Sequence, residues 1–478
     1  MMNRKISILL LLAAASGSLS ATIVPDQKKV QTETIQGAID SISESGGGVL
    51  RLSKGDYVTG TVALKDNVTL RLDSGARILG SLNPYDYAGY SVVSQENNRM
   101  ADKCSARLMG LIVADNVRNV GIVGEGIVDG RGLEVALAID SLHHIGERID
   151  PAYNTRRMRP SIRPKLIDFD HVDGAVIKDV NLKASAAWGL SLNNSRDIKV
   201  QNIDFENRAY WNNDGIDIAD CHNVLIEGCN INSADDGIVL KSFNPDDGNE
   251  NIVIRDCDIR SSANALKIGT ETFGYVKNVY INNIRIRDTF RSAVAIESVD
   301  GAHVENIKVD NIDAKNTGNG IFMRLGHRRG EHAGSMKNIS ISNLFCEIPF
   351  GRPDIDYDLR GPDINTIHNP FPNSITGIPG HKIENVRLKN ISISHPGRGT
   401  KGMAYVGKYR IQAVPEEVSS YPEFHMFGEL PAWGLYMRHV EDVEFDNVTL
   451  ILRENDYRDA VVADDVTGVR GEAVICMP

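Results

Sequence analysis

The sequence predicts an all-β fold, a right-handed parallel β-helix capped by an N-terminal helix. Three observations predict it: one helix-periodic segment near the start, short alternating apolar runs after it, and the recurrence of similar strand groups at near-constant spacing. The chain has 478 residues, 43 of them glycine, with 42% hydrophobic and 24% charged residues, a composition of soluble globular proteins. Length alone would suggest two or three domains. A repeat architecture instead spends the residues on one unit, so 22–478 is expected to be a single domain.

The helix is expected over Thr32 to Ser43, TETIQGAIDSIS, where Ile35, Ala38, Ile39 and Ile42 recur at helical spacing and Gly46-Gly47-Gly48 ends the run. Strands follow, as in Val62 to Leu72, VALKDNVTLRL. The repeat is clearest in Asp197 to Phe205, Asn223 to Ile231, Asn251 to Ile259, Asn278 to Ile286 and His303 to Val309, with Asn223, Asn251 and Asn278 spaced 28 and 27 residues apart. Later copies are Lys337 to Phe345, Ile383 to Ile393 and Val440 to Leu450. Each unit carries about three short strands and cannot bury its apolar face alone, so stacking is the economical solution. A β-sandwich would show turn signals every ~8 to 12 residues without this longer period. Non-periodic, proline-bearing segments at 143–164, 349–379 and 397–431 read as insertions that frame a binding face.

At the N-terminus, Arg4 and Lys5, the apolar run Ile6 to Ala15, and the small residues Ser18, Ser20 and Ala21 read as a secretory signal peptide over 1–21. The run is about half the ~20 residues a membrane anchor needs. A secreted or periplasmic protein without a membrane span is therefore expected. The net charge of −11 disfavours nonspecific binding to nucleic acid or anionic membrane. The cysteines Cys104, Cys221, Cys229, Cys257, Cys346 and Cys476 are too sparse for a disulfide scaffold and lack metal-ligand spacing with histidine, so no metal site is expected. A monomer is the default for a capped solenoid.

The densest chemical signal is Asn212-Asn213-Asp214-Gly215 followed by Asp235-Asp236-Gly237. Aligning Ile216 with Ile238 and Ile218 with Leu240 places Asp214 beside Asp236 on neighbouring coils, ~4.8 Å apart, with Asp235 in the same patch. Crowding of this kind costs energy unless a function requires it. Extending the register gives a column of Trp188, Asp214, Asp236, Asn264 and Ser292, in which Trp188 is either a sugar platform or core. A second column holds Lys241, Gly269, Glu297 and Arg324. Lys241 and Lys267 would place positive charge near the acids; Glu297 and Arg324 would form either a salt bridge or part of the site. Arg324 begins a basic cluster with His327, Arg328 and Arg329, the last two read as solvated charges.

These residues resemble glycoside hydrolase family 28, the polygalacturonase family of pectin-degrading enzymes. N-N-D-G at 212–215 and D-D-G-I-V-L-K-S at 235–242 resemble its N-T-D-G and D-D-C-I-A-I-K-S-G patterns, and the helix, glycine turn, GDYVTG and LKDNVTLRLDSGARILGS resemble its opening. The resemblance covers most of residues 30–345. It departs where the family's G-H-G falls at Ala263-Asn264-Ala265 and its R-I-K at Ala295-Ile296-Glu297, which removes the bases that hold a galacturonate carboxylate. An atypical member is therefore expected, acting on a branched or mixed pectic glycan such as rhamnogalacturonan, with Asn212, Trp188, Lys241, Asn264, Lys267, Glu297 and Arg324 as substrate-contact candidates. The resemblance implies that Asp235 is the general acid and that Asp214 and Asp236 activate water, without a cofactor. An inverting mechanism would separate acid and base by ~6.5 to 9.5 Å, and the insertions point to a closed pocket and exo action. Two other functions fit the fold: a Ca²⁺-dependent polysaccharide lyase, which would leave unsaturated uronates, and a noncatalytic glycan-binding protein.

Overall fold

In a computed structural model, the described residues are 19–26, 29–88, 90, 109–354 and 371–477. The parallel β-helix expected from the repeat is what the chain forms, with three α-helices among the described residues: α1 (Thr32–Glu44), α2 (Gly132–His144) and α3 (Lys401–Tyr409). The chain divides into two compact units, Met1–Asn213 and Asp214–Pro478. No helix among the described residues is long and apolar enough to cross a membrane. Most of the segment read as a signal peptide lies outside the described residues, but its end does not: Leu19–Ile23 is a strand paired in parallel with Gly48–Leu52.

In the first unit, Gly48–Leu52 pairs with Val68–Leu72, which pairs with Arg118–Gly124, and that strand with Asp173–Lys178. The alternation seen in the sequence has a direct cause: Leu50, Leu52, Leu70, Leu72 and Ile122 turn inward and are fully buried, while Arg51 and Arg71 between them face out. Helix α1 covers the open end of this stack with Ile35, Ile39 and Ile42. Its Gln36 stands in for a missing strand, donating to the Ala63 carbonyl at 3.0 Å and accepting from the Ala63 amide at 2.8 Å. Gly46 and Gly47 end the helix at φ of +98° and +112°, where a side chain would be strained. Helix α2 is not among the expected elements; its Val135, Ala136 and Ile139 are buried, and it occupies residues just ahead of the insertion expected at 143–164.

The second unit continues the same logic with longer ladders. Val224, Ile252, Val279, Ile307, Ile339, Val386 and Val443 are successive partners on adjacent coils, and all are buried. The asparagines that open each repeat sit at the turns: Asn223, Asn251, Asn278, Asn306, Asn338 and Asn385 all have φ between 54° and 58°. Asparagine tolerates this left-handed conformation. The amides of Asn251, Asn306, Asn338 and Asn385 each donate to the asparagine one coil back, at 3.2 Å from Asn251 to Asn223 and 2.7 Å from Asn385 to Asn338, while that of Asn278 donates to Glu250.

Two of the expected insertions contain regular structure. Asn373–Thr376, inside 349–379, is a strand that pairs with both Phe322–Arg324 and Leu435–Arg438, and 355–370 lie outside the described residues. Segment 397–431 contains α3, capped by the Thr400 hydroxyl. Cys221, Cys229, Cys257 and Cys346 are buried thiols and Cys476 is an exposed one, while Cys104 lies outside the described residues.

Candidate active site

Within the second unit the acids stand where the register puts them. Asp214 and Asp236 each precede a Gly that opens a strand, Ile216–Ala219 and Ile238–Ser242, and those strands pair Ile216 with Ile238. The Gly215 amide donates to the Asp236 carbonyl at 2.9 Å and the Gly237 amide to the Asn264 carbonyl at 2.8 Å. Glycine follows each acid because a Cβ at 215 or 237 would come within 2.4 or 2.6 Å of a carbonyl oxygen on the next coil. Of the expected column, Asp214, Asp236, Asn264 and Ser292 are linked coil to coil and the line runs on to Asn319, while Trp188 belongs to the first unit.

Carboxylate oxygens of Asp214, Asp235 and Asp236 lie within 4.8 Å of one another. Nearest-atom spacing is thus tighter than the separation expected for an inverting pair, ~6.5 to 9.5 Å between carboxyl groups. Burial, reinforced by Asp217 and Asp235, pushes the Asp214 carboxyl well above the usual carboxylate range. Burial would do the same to Asp236, but Lys267, Lys241 and Arg291, together with a hydrogen bond from Asn264, hold it well below that range. The surroundings of Asp214 thus favour its protonated form and those of Asp236 its charged form, and the two titrate as a coupled group. Asp235 is the half-buried member of the three.

Two of the basic and polar candidates, Asn264 and Lys267, bond these acids directly. Asn264, which stands in place of the family's histidine, donates from its backbone and side-chain nitrogens to Asp236 Oδ1 at 3.1 and 3.0 Å. Its own oxygen accepts from the Ser292 amide at 3.1 Å. Lys267 Nζ lies 3.1 Å from Asp236 Oδ2 and 3.8 Å from Glu297 Oε2. Lys241 Nζ lies 4.0 Å from Asp217 and 3.8 Å from Glu271. Both ammonium groups are buried, and their acid neighbours raise their pKa values despite that burial.

Glu297 and Arg324 are register partners but form no salt bridge with each other. Glu297 is 1% exposed, and burial pushes its pKa up to about 8, partly offset by Lys267. Asp236, at 3.1 Å, suffices to keep Lys267 charged, so a largely neutral Glu297 is the consistent assignment.

Arg324 is buried and spent elsewhere, donating to the carbonyls of Gly377, Glu416 and Glu417 at 2.9, 2.7 and 3.0 Å. It anchors the 397–431 segment and has no face left for substrate. Nor is Arg328 a solvated charge, since its guanidinium bonds both oxygens of fully buried Asp300 at 2.9 and 2.7 Å.

The remaining two candidates belong to the first unit. Trp188 is buried, with Lys165 Nζ 5.1 Å from its ring centroid, and packs as core. Asn212 takes φ of 57° and accepts from Arg163 Nη2 at 3.0 Å.

Four residues of the acid cluster escape sequence reasoning. Asp217 carries a signal, a charged residue inside the apolar run Ile216 to Ala219. Arg291, Tyr421 and Glu423 carry none: Arg291 pairs with Glu423 across 132 residues of sequence, and Tyr421 lies over Lys267, 5.7 Å from its Nζ.

Comparison with known proteins identifies the family. The model of glycosyl hydrolases family 28 matches residues 81–348. A probable polygalacturonase of Vitis vinifera is 25% identical over 67% of this chain and 58% of its own length. An exo-poly-alpha-D-galacturonosidase of Dickeya chrysanthemi is 26% identical over 45% of this chain and 39% of its own. The chain thus spans well under two thirds of either relative. A solved family 28 exopolygalacturonase of Yersinia enterocolitica superposes with a TM-score of 0.65 at 17% identity, covering 93% of this chain and 76% of that one. With the family match spanning more than half of its residues, the chain belongs to glycosyl hydrolases family 28.

Proposed function

We propose that the protein hydrolyses glycosidic bonds of a pectic glycan. The observation that carries this reading is the meeting of Asp214, Asp235 and Asp236 within 4.8 Å of one another, with Asp236 held by Asn264 and Lys267. Glycoside hydrolysis needs one acid to protonate the leaving oxygen and one carboxylate to activate water. Asp236 suits the activation of water. Both its oxygens are held, by Asn264 and by Lys267, so it polarises a water better than it attacks a sugar. Asp235, the more open acid, faces the leaving oxygen, and the cluster's proton passes to it from Asp214. Coupled carboxyls this close share a proton as a group.

Exo action is part of the proposal. Segment 397–431 is fixed against the coils by Arg324, which supports a walled site, and two of the proteins it resembles are exo-acting by name. Export through the 1–21 leader is likewise proposed, although cleavage after Ala21 would take three residues from the strand Leu19–Ile23, and sequencing the N-terminus of the exported protein tests it. A lyase would need a basic group free to abstract a proton, whereas Lys241 and Lys267 are both held in the charged form. The experiment is turnover of a pectic panel by the protein and by Asp235→Asn. Release of reducing ends that the substitution abolishes supports the reading. Unsaturated uronate products would instead identify a lyase, and binding without turnover a glycan-binding protein.

A further inference from the structure

Helix α3 shows aromatic rings to solvent. Its Met403 and Ala404 are buried, and Val406 packs against the cluster of Val414, Phe427 and Leu430. The opposite face, which in an amphipathic helix carries charged and polar groups, carries Tyr405, 51% exposed, and Tyr409, 71% exposed. Four residues apart, the two are neighbours on one side of the helix, with ring centroids 5.1 Å apart and planes inclined by 37°. Among the described residues no cation lies over either ring; Lys401, one turn earlier, stands over Tyr457 instead, its Nζ 5.3 Å from that centroid. Single exposed aromatics are ordinary, but two adjacent rings left in water on a helix whose other side is buried mark a contact surface.

The cations here also differ from those at the acids. Lys267 faces Asp236 and Glu297, Arg291 faces Glu423, and Arg328 faces Asp300. Lys401, in line with Tyr405 and Tyr409 at four-residue steps, and Arg410, next to Tyr409, are exposed and form no ion pair among the described residues. From Lys401 to Tyr409 the stripe runs about 12 Å at ~1.5 Å per residue, longer than one sugar ring is wide. In a chain of net charge −11, unpaired cations at both ends of a pair of bare rings suit an anion that has apolar faces. A uronate-bearing glycan has both, C–H faces to lie on the tyrosines and carboxylates to meet the cations. A protein partner fits less well, because the outer side of a helix is convex and offers no pocket for an anchoring side chain. A second copy laid antiparallel on α3 would set Lys401 against Arg410 and be repelled.

We propose that Lys401, Tyr405, Tyr409 and Arg410 form a second glycan-binding site, outside the acid cluster, for a uronate-bearing stretch of pectic polymer. Its sugar rings lie on the two tyrosines and its carboxylates face Lys401 and Arg410. The site rests on the pectic-glycan reading and adds to it a place where the polymer is held apart from the bond that is cut.

The test measures binding of the full-length protein to polygalacturonate and to its carboxyl-reduced form by affinity electrophoresis. Tyr405→Ala/Tyr409→Ala, Tyr405→Phe/Tyr409→Phe and Lys401→Glu are run beside it, with melting curves to check folding and turnover of short pectic oligosaccharides to check the reaction centre. Polygalacturonate should be held about tenfold more weakly by the double alanine variant, a loss of ~1.4 kcal/mol, and little changed by the double phenylalanine variant. Lys401→Glu should weaken binding most at low salt, and all four proteins should turn over the oligosaccharides alike. Equal affinity in the double alanine variant would overturn the site while leaving the hydrolase standing. A dimer of the unmodified protein that the double alanine variant loses would overturn it too, making the tyrosines a contact between copies. Carboxyl-reduced polymer held as tightly as polygalacturonate would contradict the choice of an acidic glycan. Tyrosine-dependent binding without turnover of any pectic substrate would uphold the site and sink the hydrolase reading.

Discussion

Lys267 Nζ bonds Asp236 Oδ2 at 3.1 Å and stands 3.8 Å from Glu297, so one buried ammonium serves both an acid of the reaction centre and the acid that occupies the place of the family's lysine. Its Cα partner is Ala295, where the family pattern has arginine. The positive charge missing from residues 295 and 297 is thus present one coil earlier, turned toward Asp236.

Replacing that ammonium should be felt first in the pH profile. Lys267→Met removes the foremost cation holding Asp236 below the usual range, so the acid limb of the kcat/KM profile should move to higher pH. A profile that falls in height without moving would show that Lys267 only packs.

Glu297 makes stability depend on pH in a calculable direction. Its pKa is raised to about 8 in the folded chain, against ~4.3 unfolded, so the folded state binds the extra proton between those values. Stability from this group is present below the unfolded pKa and declines as pH rises toward 8. Glu297→Gln should flatten the decline, seen as a smaller drop in Tm between pH 5 and pH 8. An equal drop in both proteins would contradict the assignment of a neutral Glu297.

Asn264 positions Asp236 without facing solvent. Asn264→Ala removes one of its two donors to Oδ1 and leaves the Ser292 amide short of an acceptor, a cost of about 1–3 kcal/mol in stability. kcat should fall with KM little changed; a KM effect alone would make Asn264 a substrate contact.

The stereochemistry of the product tests the role given to Asp236. Although the acids lie closer than the usual inverting spacing, both oxygens of Asp236 are held by Asn264 and Lys267, so water and not Asp236 should attack, and proton NMR of the first product should show an inverted anomer. A retained anomer would indicate a covalent intermediate.

Much of this is legible in the residues. Aliphatic alternation and the asparagines at left-handed turns encode the coil directly, because each repeat meets a near copy of itself at a fixed offset. Aligning the strands places Asp236 beside Asp214, 22 residues on, and Asn264 beside Asp236, 28 residues on, from the sequence alone. Register specifies backbone neighbours and leaves side-chain partners open, which is why Glu297 and Arg324 are adjacent yet turn to Lys267 and to backbone carbonyls. The insertions have no repeat to be read against, so the strand Asn373–Thr376, helix α3 and the placing of Tyr421 over Lys267 are invisible there. Helix α2 is a different failure: its periodicity is present in GLEVALAIDSLHH and is overshadowed by the strand pattern on either side.

The most direct test is release of reducing ends from a pectic panel by the protein, by Asp235→Asn and by Asp236→Asn, each checked for an unchanged melting curve. General acid–base groups typically contribute ~10²–10⁴-fold, and each substitution is predicted to lower kcat by that order. Turnover left intact in both variants would contradict the account.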